Sequence, residues 1–213
     1  MFISFEGIEG SGKTTHAQYM GGFLRAEGYD CVVTREPGGT RIGEKIRAIL
    51  LDPLSKDMDP LTELLLYTAD RAQHIRECIL PLLAEGKTVL CDRYYDATMA
   101  YQGFARGIDI GLIQKIHSLL FENLKPHLTI LLDLPADMGL ARAWGQINKG
   151  ARTNEETRFE EERLSFHKKV RSGYLEMARL EPERFRIIDA SGKEQDVREE
   201  IIKSLSDAIK ARI

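Results

Sequence analysis

Hydrophobic positions along this chain fall into short apolar runs that alternate with longer stretches repeating every three to four residues. The short runs read as buried strands and the longer ones as amphipathic helices. Phe2, Ile3 and Phe5 form the first strand; Ala17, Met20, Phe23 and Leu24 mark a helix that Gly28 ends. Residues 29–34 read as a second strand, followed by a loop over 35–40 and a helix through Ile42, Ile46, Ile49 and Leu50. Residues 60–84 read as one long helix, and 88–91 as a third strand that delivers Asp92 and Arg93. Helices are expected over 96–104 and 109–123, a fourth strand over 128–134, and a helix from Pro135. The charged stretch 145–158 breaks the pattern. Beyond it come a helix through Phe166, Val170, Tyr174 and Met177, a short strand over 186–189 and a final helix over 194–212. Near-continuous apolar strands with helical crossovers predict an α/β fold with a parallel sheet covered on both faces. Ligands of such sheets gather at the carboxyl ends of the strands, where Gly7, Arg35, Asp92 and Asp189 fall.

Composition adds limits rather than chemistry. A chain of 213 residues with 43% hydrophobic content can bury one sizeable core, and one domain over 1–213 is expected. The net charge of -3 makes no electrostatic case for nucleic acid or a membrane surface as partner. Cys31, Cys78 and Cys91 lack CxxC spacing and read as reduced thiols of a cytoplasmic protein. No apolar stretch approaches a membrane span, and the opening strand leaves no room for a signal peptide.

The chemistry starts where the first strand stops. Gly7-Ile8-Glu9-Gly10-Ser11-Gly12-Lys13-Thr14 fits G-x-x-x-x-G-K-[ST]. Glycines let successive N–H groups turn inward around phosphate oxygens, and the following helix adds its positive N-terminal end. Lys13 can reach the β- and γ-phosphates, and the Thr14 hydroxyl can ligate Mg²⁺. With glycine at about 7% of ordinary composition, these fixed positions match by chance in well under about one chain in a hundred. Gly7 through Thr15 therefore read as a P-loop for a nucleoside triphosphate. Asp92 is the candidate to reach Mg²⁺ through water, and Ala190 and Ser191 fall near adenine by position alone.

Three classes share such a loop. A GTPase switch needs DxxG after an early strand and a later NKxD. Here Asp189-Ala190-Ser191-Gly192 follows the last strand, and Asn148-Lys149-Gly150-Ala151 lacks the closing Asp. A motor or transport ATPase would end a strand in adjacent acidic residues and carry a coupling domain, whereas the third strand ends in Asp92-Arg93. A small kinase needs a second anionic site facing the triphosphate, and Arg35, Arg47, Arg71 and Arg93 cluster near strand ends to supply it. On the residues alone, a kinase of another metabolite and a nucleotide-dependent interaction protein stay open.

FEGIEGSGKTT, TREPGGT, Tyr67 with Arg71 in YTADRAQ, DRYYDATMAYQG and ILLDLP together resemble the bacterial thymidylate kinase family over nearly the whole chain. The resemblance implies a three-layer α/β/α P-loop fold with a five-stranded parallel sheet and a mobile lid over about 143–158. It also implies Mg²⁺-dependent transfer from ATP to dTMP, and a homodimer. Glu9 would accept a hydrogen bond from the deoxyribose 3′-hydroxyl, and the Glu36-Pro37 peptide would be cis. Arg47 and Arg93 would clamp the dTMP phosphate with their planar forks, a structural ion pair being the alternative for Arg47. Tyr67, which read alone fits the core better, would by the resemblance stack on thymine while Arg71, four residues on, donates to a base carbonyl. Thr98 would read the base edge, Tyr101 would crowd a ribose 2′-hydroxyl, and Gln102 would lie beside them.

The acceptor is already an anion, so no general base is nominated, and the scattered histidines read as surface or core. Two departures concern the lid. Thr157 precedes Arg158 where the family commonly has Asp, and the lid start is poor in arginine. Some members also place an arginine in the P-loop directly after the sugar-binding acid, where this chain has Gly10. The mobile cation is therefore expected from the lid: Arg152 first, Arg158 second unless it pairs with Glu161 or Glu162, with Arg142 fixed on its helix.

Overall fold

The computed structural model of the chain describes residues 1–150 and 156–210. Strands β1 (Phe2–Glu6), β2 (Cys31–Arg35), β3 (Thr88–Asp92), β4 (Leu128–Asp133) and β5 (Phe185–Asp189) form one sheet in the order β2-β3-β1-β4-β5. Every pairing is parallel. Around it lie α1 (Lys13–Ala26), α2 (Arg41–Leu51), α3 (Pro60–His74), α4 (Leu80–Ala84), α5 (Tyr95–Thr98), α6 (Ile110–Phe121), α7 (Ala136–Asn148), α8 (Leu164–Leu180) and α9 (Glu194–Lys210). The chain leaves β1 through α1 for β2 on one side of the sheet. From β3 it crosses to β4 on the other, so connections diverge at the carboxyl ends of β1 and β3. A crevice at that point is where such sheets bind ligands.

The central strands are the most apolar ones. Phe2, Ile3, Phe5, Leu90, Ile130 and Leu132 are fully buried, whereas edge strands β2 and β5 leave Arg35 and Ile187 exposed. β2 begins at Cys31, two residues later than the apolar run suggests, because its partner β3 begins at Thr88 in register with it. Thr40 and Asp59 cap α2 and α3 by accepting from Gly43 N and Leu61 N.

The expected long helix over 60–84 is helical throughout but not uniform. A π turn over Ile75–Ile79 separates α3 from α4. Pro81 has no N–H for the carbonyl one turn back and its ring crowds it, so the wider turn absorbs the misfit. A second π turn over Met99–Ala105 follows α5. Helix α7 runs on to Asn148, because Gly139, Ala143 and Ile147, four residues apart, keep one buried face where charge seemed to break it. Among the described residues no helix is long and apolar enough to cross a membrane.

Candidate active site

At the carboxyl ends of β1 and β3 lies a cavity of about 520 Å³, within the size range of small-molecule sites. The P-loop forms one wall. Gly12 stands at the N-cap of α1 with φ +90° and no side chain to fill the cap, so the first amides of α1 are left for a ligand. Gly10, at φ +70°, lies against α7: a Cβ there would stand 2.1 Å from the Gly139 carbonyl oxygen. Lys13 Nζ donates to Ile8 O at 2.7 Å and Ser11 Oγ at 3.4 Å, which folds the loop around its own ammonium. Burial lowers Lys13 to about 8, and the nearby Arg93 charge adds to the effect. Thr14 Oγ1 donates to Asp92 Oδ2 across the mouth, and Thr15 lines the same wall.

The opposite wall comes from α3 and the segment after β3. Arg71, 3% exposed, donates from Nε to Glu36 Oε2 at 2.9 Å and from a terminal nitrogen to Thr98 Oγ1 at 2.9 Å. Pro37, joined to Glu36 by a cis peptide, and Tyr67 complete this end. Gln102 also reaches the cavity, but its amide donates to Glu63 Oε1 at 2.7 Å.

Between the two walls sits Glu9. Its Oε1 accepts from Arg93 at 2.9 Å and Tyr101 Oη at 2.5 Å, and its Oε2 from His167 Nδ1 at 2.9 Å. Burial works against the charge, yet the His167 hydrogen bond and Arg93 outweigh it and hold the Glu9 carboxyl well below the usual range. Arg93 adopts φ +68°, an uncommon backbone state for arginine that Glu6 helps to hold by accepting from Tyr94 N at 2.7 Å. The terminal nitrogens of Arg93 donate to Gly7 O, Tyr174 Oη, Glu9 and Tyr101. Four of its five N–H groups are thus taken by the protein. Among the described residues, Nε is the Arg93 donor left without a partner.

Beneath Arg93, burial first and then repulsion from Asp96 push the Glu6 carboxyl up to about 8. The folded carboxyl thus keeps its proton from pH 4.5 to about 8, where the unfolded one has lost it. The unfolded state binds fewer protons over that window, so this residue's contribution to stability falls as pH rises. Glu6→Gln should accordingly gain on the natural chain in urea midpoint from pH 5 to pH 8. A difference that stays constant with pH would contradict it.

The family model for thymidylate kinase matches residues 5–201. The thymidylate kinase of Desulfosudis oleivorans is 54% identical over 205 residues, 96% of each chain. That of Syntrophotalea carbinolica is 51% identical over 208 residues, 98% of this chain and 96% of the relative. The chain belongs to the thymidylate kinase family. The crystal structure of a thymidylate kinase from Ehrlichia chaffeensis matches with a TM-score of 0.75 at 34% identity, covering 96% of this chain and 98% of that one.

Within this thymidylate kinase fold, several expected site residues stand elsewhere or are already engaged. Arg47 reaches the cavity, but its fork lies on Glu156 at 2.7 and 2.8 Å and a third donor reaches Pro37 O at 3.1 Å. Arg158, expected second among the lid cations, is engaged elsewhere. It is 3% exposed, sits in a turn ahead of α8, and donates to Glu63 Oε2 at 2.6 Å and Leu50 O at 2.5 Å, off the cavity wall. It pairs with neither Glu161 nor Glu162; Glu162 pairs with Arg106 instead. Arg152 lies outside the described residues. Arg142 donates to Ala190 O at 2.7 Å and Ser191 O at 3.1 Å, so it is indeed held, and this loop does not line the cavity.

Sequence reasoning missed Glu6, Glu63, His74 and His167, each of which is buried against a cavity residue or its partner. Only His74 left a trace, because it sits three residues after Arg71 on one helix face.

Proposed function

We propose that this member of the thymidylate kinase family transfers the γ-phosphoryl group of ATP to dTMP, giving ADP and dTDP. The observation that carries the reading is that the P-loop with Lys13 and the Arg71–Thr98 pair face each other across one cavity, with Glu9 between them. An oxygen of the dTMP phosphate attacks the γ-phosphorus while the bond to the β–γ bridging oxygen breaks, its electron pair leaving with ADP. The attacking oxygen carries no proton at neutral pH, so the protein aligns the groups and offsets charge rather than moving protons.

Each group has a part in that reading. The loop amides and Lys13 hold the triphosphate. Glu9, ionised, accepts three hydrogen bonds and keeps about one lone-pair site for the sugar 3′-hydroxyl. The Tyr101 ring crowds the 2′ position, and Arg93 offers positive charge and its Nε to the acceptor phosphate, with Arg47 beside it. Tyr67 covers the base while Arg71 and Thr98 meet its polar edge. Thr14 and Asp92 bring hard oxygen ligands together, and the described residues hold no three-ligand metal cluster. That donor set suits Mg²⁺, which takes few protein ligands. Bound there, Mg²⁺ would neutralise phosphate charge.

Coupled ADP release measured with dTMP, dUMP, dCMP, dGMP and dAMP tests the assignment; turnover led by any base other than thymine would overturn it. Arg71→Ala removes a charged donor and should raise KM for dTMP by 10- to 10²-fold, about 1.5–3 kcal/mol, with KM for ATP nearly unchanged. Equal loss for both substrates would make Arg71 a structural residue. A homodimer is supported by Ile42, Ile49, Leu61 and Leu65, which α2 and α3 leave exposed, and sedimentation at twice the chain mass is its test. A cytoplasmic setting is supported by the free thiols of Cys31, Cys78 and Cys91, and fractionation tests it.

A further inference from the structure

Behind Arg71, away from the cavity, hydrogen bonds lead to a histidine with no exposed surface. Glu36 divides its carboxylate: Oε2 accepts from Arg71 Nε at 2.9 Å, and Oε1 faces His74 Nδ1 at 2.8 Å. The other ring nitrogen lies 2.7 Å from Thr34 Oγ1, so the imidazole is fixed at both ends. The turn after β2 is shaped to admit it, because a Cβ on Gly39 would stand 2.6 Å from the ring. Burial opposes charge on His74, but its contacts with Cys78 and Glu36 prevail and hold it at about 9. At neutral pH the ring is therefore an imidazolium, with both nitrogens donating.

The division of Glu36 bears on what Arg71 can do. A carboxylate beside an arginine favours the two-bond, side-on fork, which would take Nε and one terminal nitrogen together. Here Arg71 gives Glu36 only Nε, and its terminal nitrogen goes to Thr98 at the cavity wall. The oxygen that would close the fork is the one His74 holds.

We propose that His74 is a positioning residue for base recognition: by occupying Glu36 Oε1 it keeps the carboxylate from closing on Arg71, leaving the terminal edge of the guanidinium for Thr98 and a pyrimidine carbonyl. This rests on the reading of Arg71 as the base contact. His74 does not line the cavity and touches no substrate in this scheme.

The test is steady-state kinetics on four variants. His74→Leu frees Oε1, so KM for dTMP should rise about tenfold, the scale of one hydrogen bond to a charged group, while kcat and KM for ATP stay within twofold. His74→Asn presents an amide N–H where Nδ1 stood and should restore most of the dTMP affinity, which a bulk or folding effect would not do. It also serves if the leucine variant fails to fold. In an Arg71→Ala background, His74→Leu should add nothing further. A tenfold rise in that background too, a matching rise for ATP, or an unchanged KM for dTMP in His74→Leu would each overturn the proposal. If Arg71→Ala alone leaves KM for dTMP unchanged, the base-contact reading falls and takes this inference with it. A normal response of Arg71→Ala with no effect at His74 removes this inference alone.

Discussion

Lys13→Ala should lower kcat by at least about 10², roughly 2.7 kcal/mol, while KM for dTMP moves little. The ammonium is drawn into the loop by Ile8 O and Ser11 Oγ and is 7% exposed, so it acts in a site where charge is poorly screened. A group pre-set in this way needs no reorganisation as charge develops on the transferring phosphoryl. Among the described residues, three nearby arginines are already held by partners of their own. The terminal nitrogens of Arg93 are engaged, Arg47 is forked on Glu156 and Arg158 is buried on Glu63. The dTMP end of the cavity is built from other residues, which is why the loss should fall on turnover. A variant with kcat within tenfold of the natural chain would remove this loop from the transfer step.

Arg158→Ala should act on stability and leave chemistry nearly alone. Glu63 is fully buried and shared among Arg158, Arg106 and Gln102. Removing the closest cation leaves a charge in the interior that Arg106, at 3.2 Å, offsets only in part, and it strips Leu50 O of a donor. Breaking a buried pair from one side costs about 3–5 kcal/mol, and Arg106 puts the expectation near 3. Urea unfolding should report that loss, with kcat of the folded variant within about threefold by the same reasoning that keeps Arg158 off the cavity. A drop in kcat of tenfold or more at unchanged stability would return Arg158 to the catalytic groups.

The P-loop and the strand ends were legible because backbone geometry forces particular residues there. Gly10 and Gly12 need positive φ, Lys13 needs to follow them, and Asp92 and Arg93 must end a buried strand. The parallel pairing of the strands followed from apolar runs too continuous for a sheet with a wet face, whereas their order did not. The partner of Arg158 was hidden for a physical reason: Glu161 and Glu162 offered local partners, while the one it meets lies 95 residues earlier on α3. His167 meets Glu9 across 158 residues, and nothing in local spacing can announce that. The α7 boundary was obscured because glycine and polar residues after 144 hide a stripe that only packing against the loop reveals.

The contact between Gly10 and Gly139 also limits what either position can carry. A Cβ at position 10 would meet a carbonyl oxygen at 2.1 Å, so this loop has no room for a cation of its own beside Lys13. The facing position is closed as well, since a Cβ on Gly139 would stand 2.5 Å from Glu9 O. For position 10 or 139 to carry a side chain, α7 would have to move away from the loop first. The two glycines thus act as one unit, each position's freedom to vary set by how closely the helix sits on the loop.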